Sequence, residues 1–310
     1  MLLTGLGALL YLFVAIRVDA ARLQTALTTM GLLGCSLVLL LSMVNYLIRF
    51  ARWQYYIVRL GHRLPFWRHL AVYLSGFALT VSPGKGGEAL RSVYMRDHGV
   101  PYSESLAALF SERLLDTLAT VLLAGLVLSG AWQHVQMLLA ALGAILCVLT
   151  LLSREFTYRC LASIAGRQRG WVAKTLGGLA NVLRSSHRLL QAGPVVIGLA
   201  LALLAWSAQG FGFYLILQGL HVSSDPATAI GIYTLGALAG AAAFFMPGGI
   251  GGTELVMTTM LVHRGAPLTV AVIATLVCRL ATLWFAVLVG IISTFIVEAW
   301  PEGAPPAEAA

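Results

Sequence analysis

Four stretches of this chain, residues 117–128, 137–152, 195–220 and 268–297, run with few or no charges and without alternation of apolar and polar side chains. With its flanks, each is about the ~20 residues that a helix needs to cross ~30 Å of hydrocarbon. A β-barrel would show alternation instead of continuous runs. Composition agrees, since 59% of the residues are hydrophobic and only 10% charged, where soluble domains carry about 25%. The expected fold class is therefore an all-α polytopic membrane protein. Residues 2–16 are read as a retained first span, because they lack the basic n-region of a signal peptide. The Pro/Ala/Glu-rich residues 299–310 are read as a disordered tail.

A net charge of +8 on a soluble protein would point to nucleic acid. Here the basic residues fall in two blocks between apolar runs: Arg49, Arg52, Arg59, Arg63 and Arg68, then Arg154, Arg159, Arg167, Arg169, Lys174, Arg184 and Arg188. That is the asymmetry of cytoplasmic loops, and it favours anionic headgroups over nucleic acid. Aromatic and basic residues mix in 46–67 and 155–191, which reads as helices lying in the membrane interface. The expected location is a bacterial inner membrane, with both termini cytoplasmic. Cys35, Cys147, Cys160 and Cys278 are scattered, and no two histidines pair at metal-binding spacing. Three of the cysteines fall in or beside apolar runs and are read as small core residues, and no metal or cofactor is expected.

An internal repeat organises the chain. The segment SPGKGGEALRSVYMRDHGVPYSESLAALFSERLLDTLATVLL from Ser82 registers with MPGGIGGTELVMTTMLVHRGAPLTVAVIATLVCRLATLWFAVLV from Met246, given a two-residue insertion in the second glycine loop. Glu88 falls on Glu254, Gly99 on Gly265, Pro101 on Pro267 and Arg113 on Arg279. Chance matches of Ala and Leu are cheap in such a composition, but Pro, Glu, Gly and Arg in this order are not. The expected organisation is one transmembrane domain over 1–298. Its first repeat covers about 30–152, a cytoplasmic amphipathic segment 153–193, and its second repeat about 194–298.

Residues 70–82 are too few to cross before Pro83 and the glycines break them, and 88–95 return toward basic Arg96. The unit reads as a re-entrant hairpin opening from the cytoplasm. Three spans follow, near 104–128, 131–152 and 195–220, so a second hairpin at 227–263 enters from the opposite face. The halves are expected to be inverted repeats, as in many secondary transporters.

Irregular backbone at membrane depth needs protein or a water-filled cavity around it. The loops PGKGGE (83–88) and PGGIGGTE (247–254) are thus expected to meet in the interior. The helices restarting after them aim N–H groups inward, which suits an anionic group. Lys85, Gly86, Gly87, Gly249, Gly251, Gly252 and Thr253 are the headgroup-binding candidates on these loops. A hairpin tip where only glycine lets two backbones touch would show the same pattern. Glu112, Arg113 and Asp116 lie inside an apolar helix, where each charge costs roughly 2.5–3.5 kcal/mol on insertion scales. Glu88–Arg113 and Glu254–Arg279 share one spacing of 25 residues, so these two pairs are read as structural or gating ion pairs. Arg91, Glu112 and Asp116, with Lys85, are the charges expected to face substrate. The second half offers only Thr253, Cys278 and Thr282 nearby, so the site is expected to be electrostatically lopsided. No catalytic arrangement is visible, and no enzymatic activity is expected.

The pieces RFARW (49–53), the Pro83–Glu88 loop, Glu112–Arg113 with Asp116, and the Pro247–Glu254 loop together resemble the transmembrane domain of the lysylphosphatidylglycerol synthetase/flippase family. The resemblance covers nearly the whole chain. It implies a lipid-translocating domain, with aminoacyl-phospholipids the best-known cargo. No aminoacyl-transferase domain is appended, so lysyl transfer is not expected. The expected function is a flippase for a phospholipid, aminoacyl-phospholipid or polyprenyl-linked lipid. The alternative is a non-transporting accessory protein that binds lipid and supports an envelope-lipid synthase or glycosyltransferase. Expected partners are lipids with anionic or zwitterionic headgroups and, in the alternative, a lipid-modifying enzyme; oligomeric state stays open.

Overall fold

The structure, a computed structural model, describes residues 20–82, 90–128, 132–243 and 246–300. The expected first span (2–16) and most of the tail lie outside these residues. Among the described residues every regular element is helical. The first half holds α1 (Ala20–Leu60), α2 (Phe66–Ser75) running into a 3-10 turn (Gly76–Leu79), α3 (Leu90–Asp97), α4 (Tyr102–Leu128) and α5 (Trp132–Leu152). Next come α6 (Glu155–Gly166) and α7 (Gly170–Leu189). The second half holds α8 (Ala192–Gly219), α9 (Pro226–Ala242), a 3-10 turn (Pro247–Gly249), α10 (Gly252–His263), α11 (Leu268–Arg279), a π turn (Leu280–Trp284) and α12 (Phe285–Glu298).

Helical stretches Leu23–Leu60, Val135–Leu152, Ala192–Gly219 and Leu268–Glu298 are each long and apolar enough to cross a bilayer. The 27-residue α4 matches them in length, yet carries Glu112, Arg113 and Asp116 midway. Helix α1 is broken once, at Gly31, whose φ of 68° only glycine adopts without strain. Asp225 caps α9, its Oδ1 accepting from the Thr228 N–H at 2.9 Å.

The direction of each half follows from packing. Helices α1 and α8 each precede a hairpin, and they lie against one another in opposite senses. Met30 packs at Gly219 and Leu41 at Gly212. Further along, Gln209 donates to Ser42, Asn45 donates to the Ala205 carbonyl, and Arg52 reaches the Gly198 carbonyl. Equivalent helices packed antiparallel make the halves inverted. The hairpins are exchanged in a reciprocal way: α9 lies on α4 of the first half, and α2 with its 3-10 turn lies on α12 of the second. A Cβ at Gly290 would meet the backbone of Phe77 and Ala78, which is how the 3-10 turn comes so close to α12. The glycine-rich stretch of α9 likewise packs inside the chain, Gly236 on Met257 and Gly240 on Thr253.

Two expectations need correction. Residues 46–60 do not lie in the interface; they are the last turns of α1, with Arg52, Trp53, Tyr56 and Ile57 all 0% exposed. Their aromatic rings pack on Tyr73, Phe66 and Phe77 of the first hairpin instead of facing headgroups. Of the cysteines only Cys278 is a core residue; Cys147 and Cys160 are exposed and Cys35 is half-buried. By contrast α6 and α7 keep the amphipathic character of an interfacial pair. Arg154, Arg159, Arg167, Arg169, Lys174, Arg184 and Arg188 are all exposed beside exposed Phe156 and Trp171.

Candidate functional site

Glu112 and Asp116 sit one turn apart on α4 and both face α1, as i,i+4 spacing requires. Arg52 bridges them, Nη2 donating to Asp116 Oδ1 at 2.7 Å and to Glu112 Oε1 at 3.1 Å. The Tyr73 hydroxyl also donates to Glu112 Oε1, at 3.1 Å. Arg113 Nη2 stands 3.1 Å and Arg49 Nη2 3.5 Å from Asp116 Oδ2, and Arg91 Nη1 is 3.6 Å from Glu112 Oε2. Glu112, Arg52 and Arg91 are fully buried. The cluster joins α1, α2, α3 and α4, and it compensates charges that hydrocarbon could not hold singly.

Arg91 is held by aromatic faces more than by its ion pair. Its guanidinium lies 3.9 Å from the Tyr73 ring centre, 5.1 Å from Phe77 and 5.6 Å from Trp53. Gly76 leaves the space its stem fills. Arg91 and Glu112, both expected to face substrate, are fully buried and do not line the central cavity.

That cavity lies between the two hairpins. Val81 and Ile250, one from each hairpin, share a small core with Leu276, Leu283 and Val287. Beside it are two adjoining compartments, of about 230 Å³ and about 110 Å³, with Trp206, Gly240 and Gly248 in the walls of both. Arg113, Asp116, Thr117, Thr120, Ser82 and Gly249 line the larger. Arg49, Asn45, Gln209, Tyr233, Thr253, Arg279 and Thr282 line the smaller. Both are below the ~300–1,000 Å³ of sites that enclose a drug-sized ligand, so the space suits a polar headgroup and not a whole lipid.

At the second tip, Gly248, Gly249 and Gly251 all take positive φ (62°, 65° and 95°), which is why this loop is glycine. Glu254 and Arg279 meet there. Arg279 Nε donates to Glu254 Oε1 at 2.7 Å and its Nη2 to the Gly248 carbonyl at 2.7 Å. The Gly251 N–H donates to Glu254 Oε2, also at 2.7 Å. The N–H that could have received an external anion at Gly251 is thus taken by the chain's own carboxylate. Gly252 packs on the Ala239 carbonyl and lines neither compartment.

Of the remaining candidates, Lys85, Gly86, Gly87 and Glu88 lie outside the described residues, and the Glu88–Arg113 pair with them. Cys278 is buried away from the cavity. The reading from sequence missed Arg49 and Arg52, which it placed in a cytoplasmic block, and the second-half residues Trp206, Gln209 and Tyr233. A signal for the two arginines was present: they follow an unbroken apolar run at i,i+3, so both face one side of a helix that had already entered the membrane. The site is less lopsided than expected, since Arg279 and these second-half side chains share it with Arg49 and Arg113.

Inverted helical halves, two re-entrant hairpins and buried charge between them define a multi-pass membrane protein of the inverted-repeat class. The chain belongs to the family described as the lysylphosphatidylglycerol synthase TM region, which matches residues 1–290. It is also similar to a protein described as a UPF0104 membrane protein from Methanothermobacter thermautotrophicus, 24% identical over 253 residues, 72% of this chain and 74% of that one.

Proposed function

We propose that the protein translocates a lipid across the membrane, holding an anionic or zwitterionic headgroup between the two hairpins. The observation that carries this reading is the cavity itself. Arg49, Arg113 and Arg279 line it, with contributions from both inverted halves. A polar, cationic space between inverted repeats is the usual position of a transporter's substrate site. Membership in a family named for the transmembrane region of a lipid synthase supports lipid as the cargo class. A phospholipid, aminoacyl-phospholipid or polyprenyl-linked lipid fits equally. We place the protein in the inner membrane with α6 and α7 cytoplasmic, by the positive-inside rule, and assign it no catalytic step.

The test is reconstitution in liposomes with fluorescent lipids of each class, read by dithionite quenching, beside native mass spectrometry of gently extracted protein. One lipid class should be retained and moved, and Arg113→Gln should reduce both. Failure to move any lipid above empty liposomes overturns translocation. One observation favours a second reading: Glu112 and Arg91 are consumed in holding elements together. In that reading the protein binds lipid and supports a lipid-modifying enzyme without transport. Retention of a lipid class without movement, with a copurifying enzyme, would select it.

A further inference from the structure

We infer that the groove between α4, α5, α9 and α10 holds the acyl chains of a lipid whose headgroup is anionic and sits beside Arg113 in the larger compartment; this rests on the lipid reading above and selects its anionic class. The groove has a volume of about 910 Å³ and is walled by apolar side chains, among them Val121, Ala124, Ala141, Leu255 and Met260. It abuts the polar compartment. Leu238 lines both spaces, and along α4 the lining passes from Arg113, Thr117 and Thr120 in the one to Val121 and Ala124 in the other, within about three turns. A single amphipathic molecule matches that sequence of environments: charge beside Arg113, then hydrocarbon. The headgroup compartment is too small for a whole lipid, so its chains must leave on some side, and this is the side lined to receive them.

The position also fixes a leaflet. Helix α4 starts on the side of basic α6 and α7, because α5 returns to meet them at Leu152. Its last turns, 121–128, and the far end of the groove at His263 therefore lie in the opposite half of the membrane. The conformation described here is open laterally to the leaflet away from the basic helices.

The experiment uses wild-type protein in liposomes containing phosphatidylglycerol or, in parallel, phosphatidylcholine, each with a diazirine in the acyl chain, followed by irradiation and peptide mass spectrometry. The expected result is labelling of Leu138 and Met260, both half-buried in the groove, that is several-fold stronger with phosphatidylglycerol. Lipid-facing Phe295, 68% exposed on α12, should label equally with both. Ala124→Trp combined with Ala141→Trp should abolish the groove label and leave that of Phe295. Equal groove labelling by both lipids, or a groove label unmoved by the tryptophans, overturns the inference. If native mass spectrometry still shows phosphatidylglycerol retained, only the groove assignment falls. If wild type retains no phosphatidylglycerol, the anionic-lipid reading falls with it.

Discussion

Arg52 is the residue on which the interior of the first half depends. One guanidinium nitrogen serves two carboxylates from a side chain with no exposed surface. Removing one member of a buried charged set leaves the others unpaired, at a cost of about 3–5 kcal/mol. Arg113 reaches the same Asp116 from a side chain that is 29% exposed, where water screens the interaction and a loss of about 1 kcal/mol is expected. Arg52→Gln should therefore lower the thermal unfolding midpoint in detergent far more than Arg113→Gln does. Equal shifts for the two variants would show that burial is not what separates their roles.

At the scale of elements, the second hairpin is held by a relay of three contacts: Gly251 to Glu254, Glu254 to Arg279, and Arg279 to Gly248. Glu254 thereby caps α10 and ties it to α11, immediately before the π turn at Leu280–Trp284. Hydrogen bonds to charged groups are worth about 1.5–3 kcal/mol each. Glu254→Ala and Arg279→Met should each destabilise by about 2–3 kcal/mol. The double variant should fall well short of the sum, because either change already breaks the shared link. Additive losses in a double-mutant cycle of unfolding midpoints would mean that the two side chains act separately.

For the molecule as a whole, antiparallel packing of α1 on α8 puts the two hairpins on opposite faces. The natural Cys160 on α6 is exposed and lies on the basic face. Ser223, in the loop before α9, is exposed on the other. A membrane-impermeant maleimide added to sealed, oriented vesicles should label Cys160 from one side only. Ser223→Cys, in a chain with Cys160 replaced, should label only from the other. Labelling of both from the same side would break the inverted arrangement.

Long uncharged runs settle membrane residence from the sequence alone, because no soluble fold can bury so much apolar surface. The repeat of Pro, Gly, Glu and Arg in matched order settles the duplication, and with an odd number of crossings between the units it settles inversion too. Local spacing also suffices to mark Glu254 and Arg279 as one pair. Which charges meet water and which are sealed was decided by tertiary structure. Arg49 and Arg52 read as interfacial because their neighbours are aromatic and basic, yet those aromatics pack on the first hairpin and carry the arginines inward. Glu112 and Asp116 share a face and look alike in sequence, but only Asp116 borders the cavity. The cavity itself, with Arg49, Arg113, Trp206 and Arg279 from helices far apart in the chain, exists only where the two hairpins meet, since helical periodicity orders residues within an element and carries no information about which element will lie opposite.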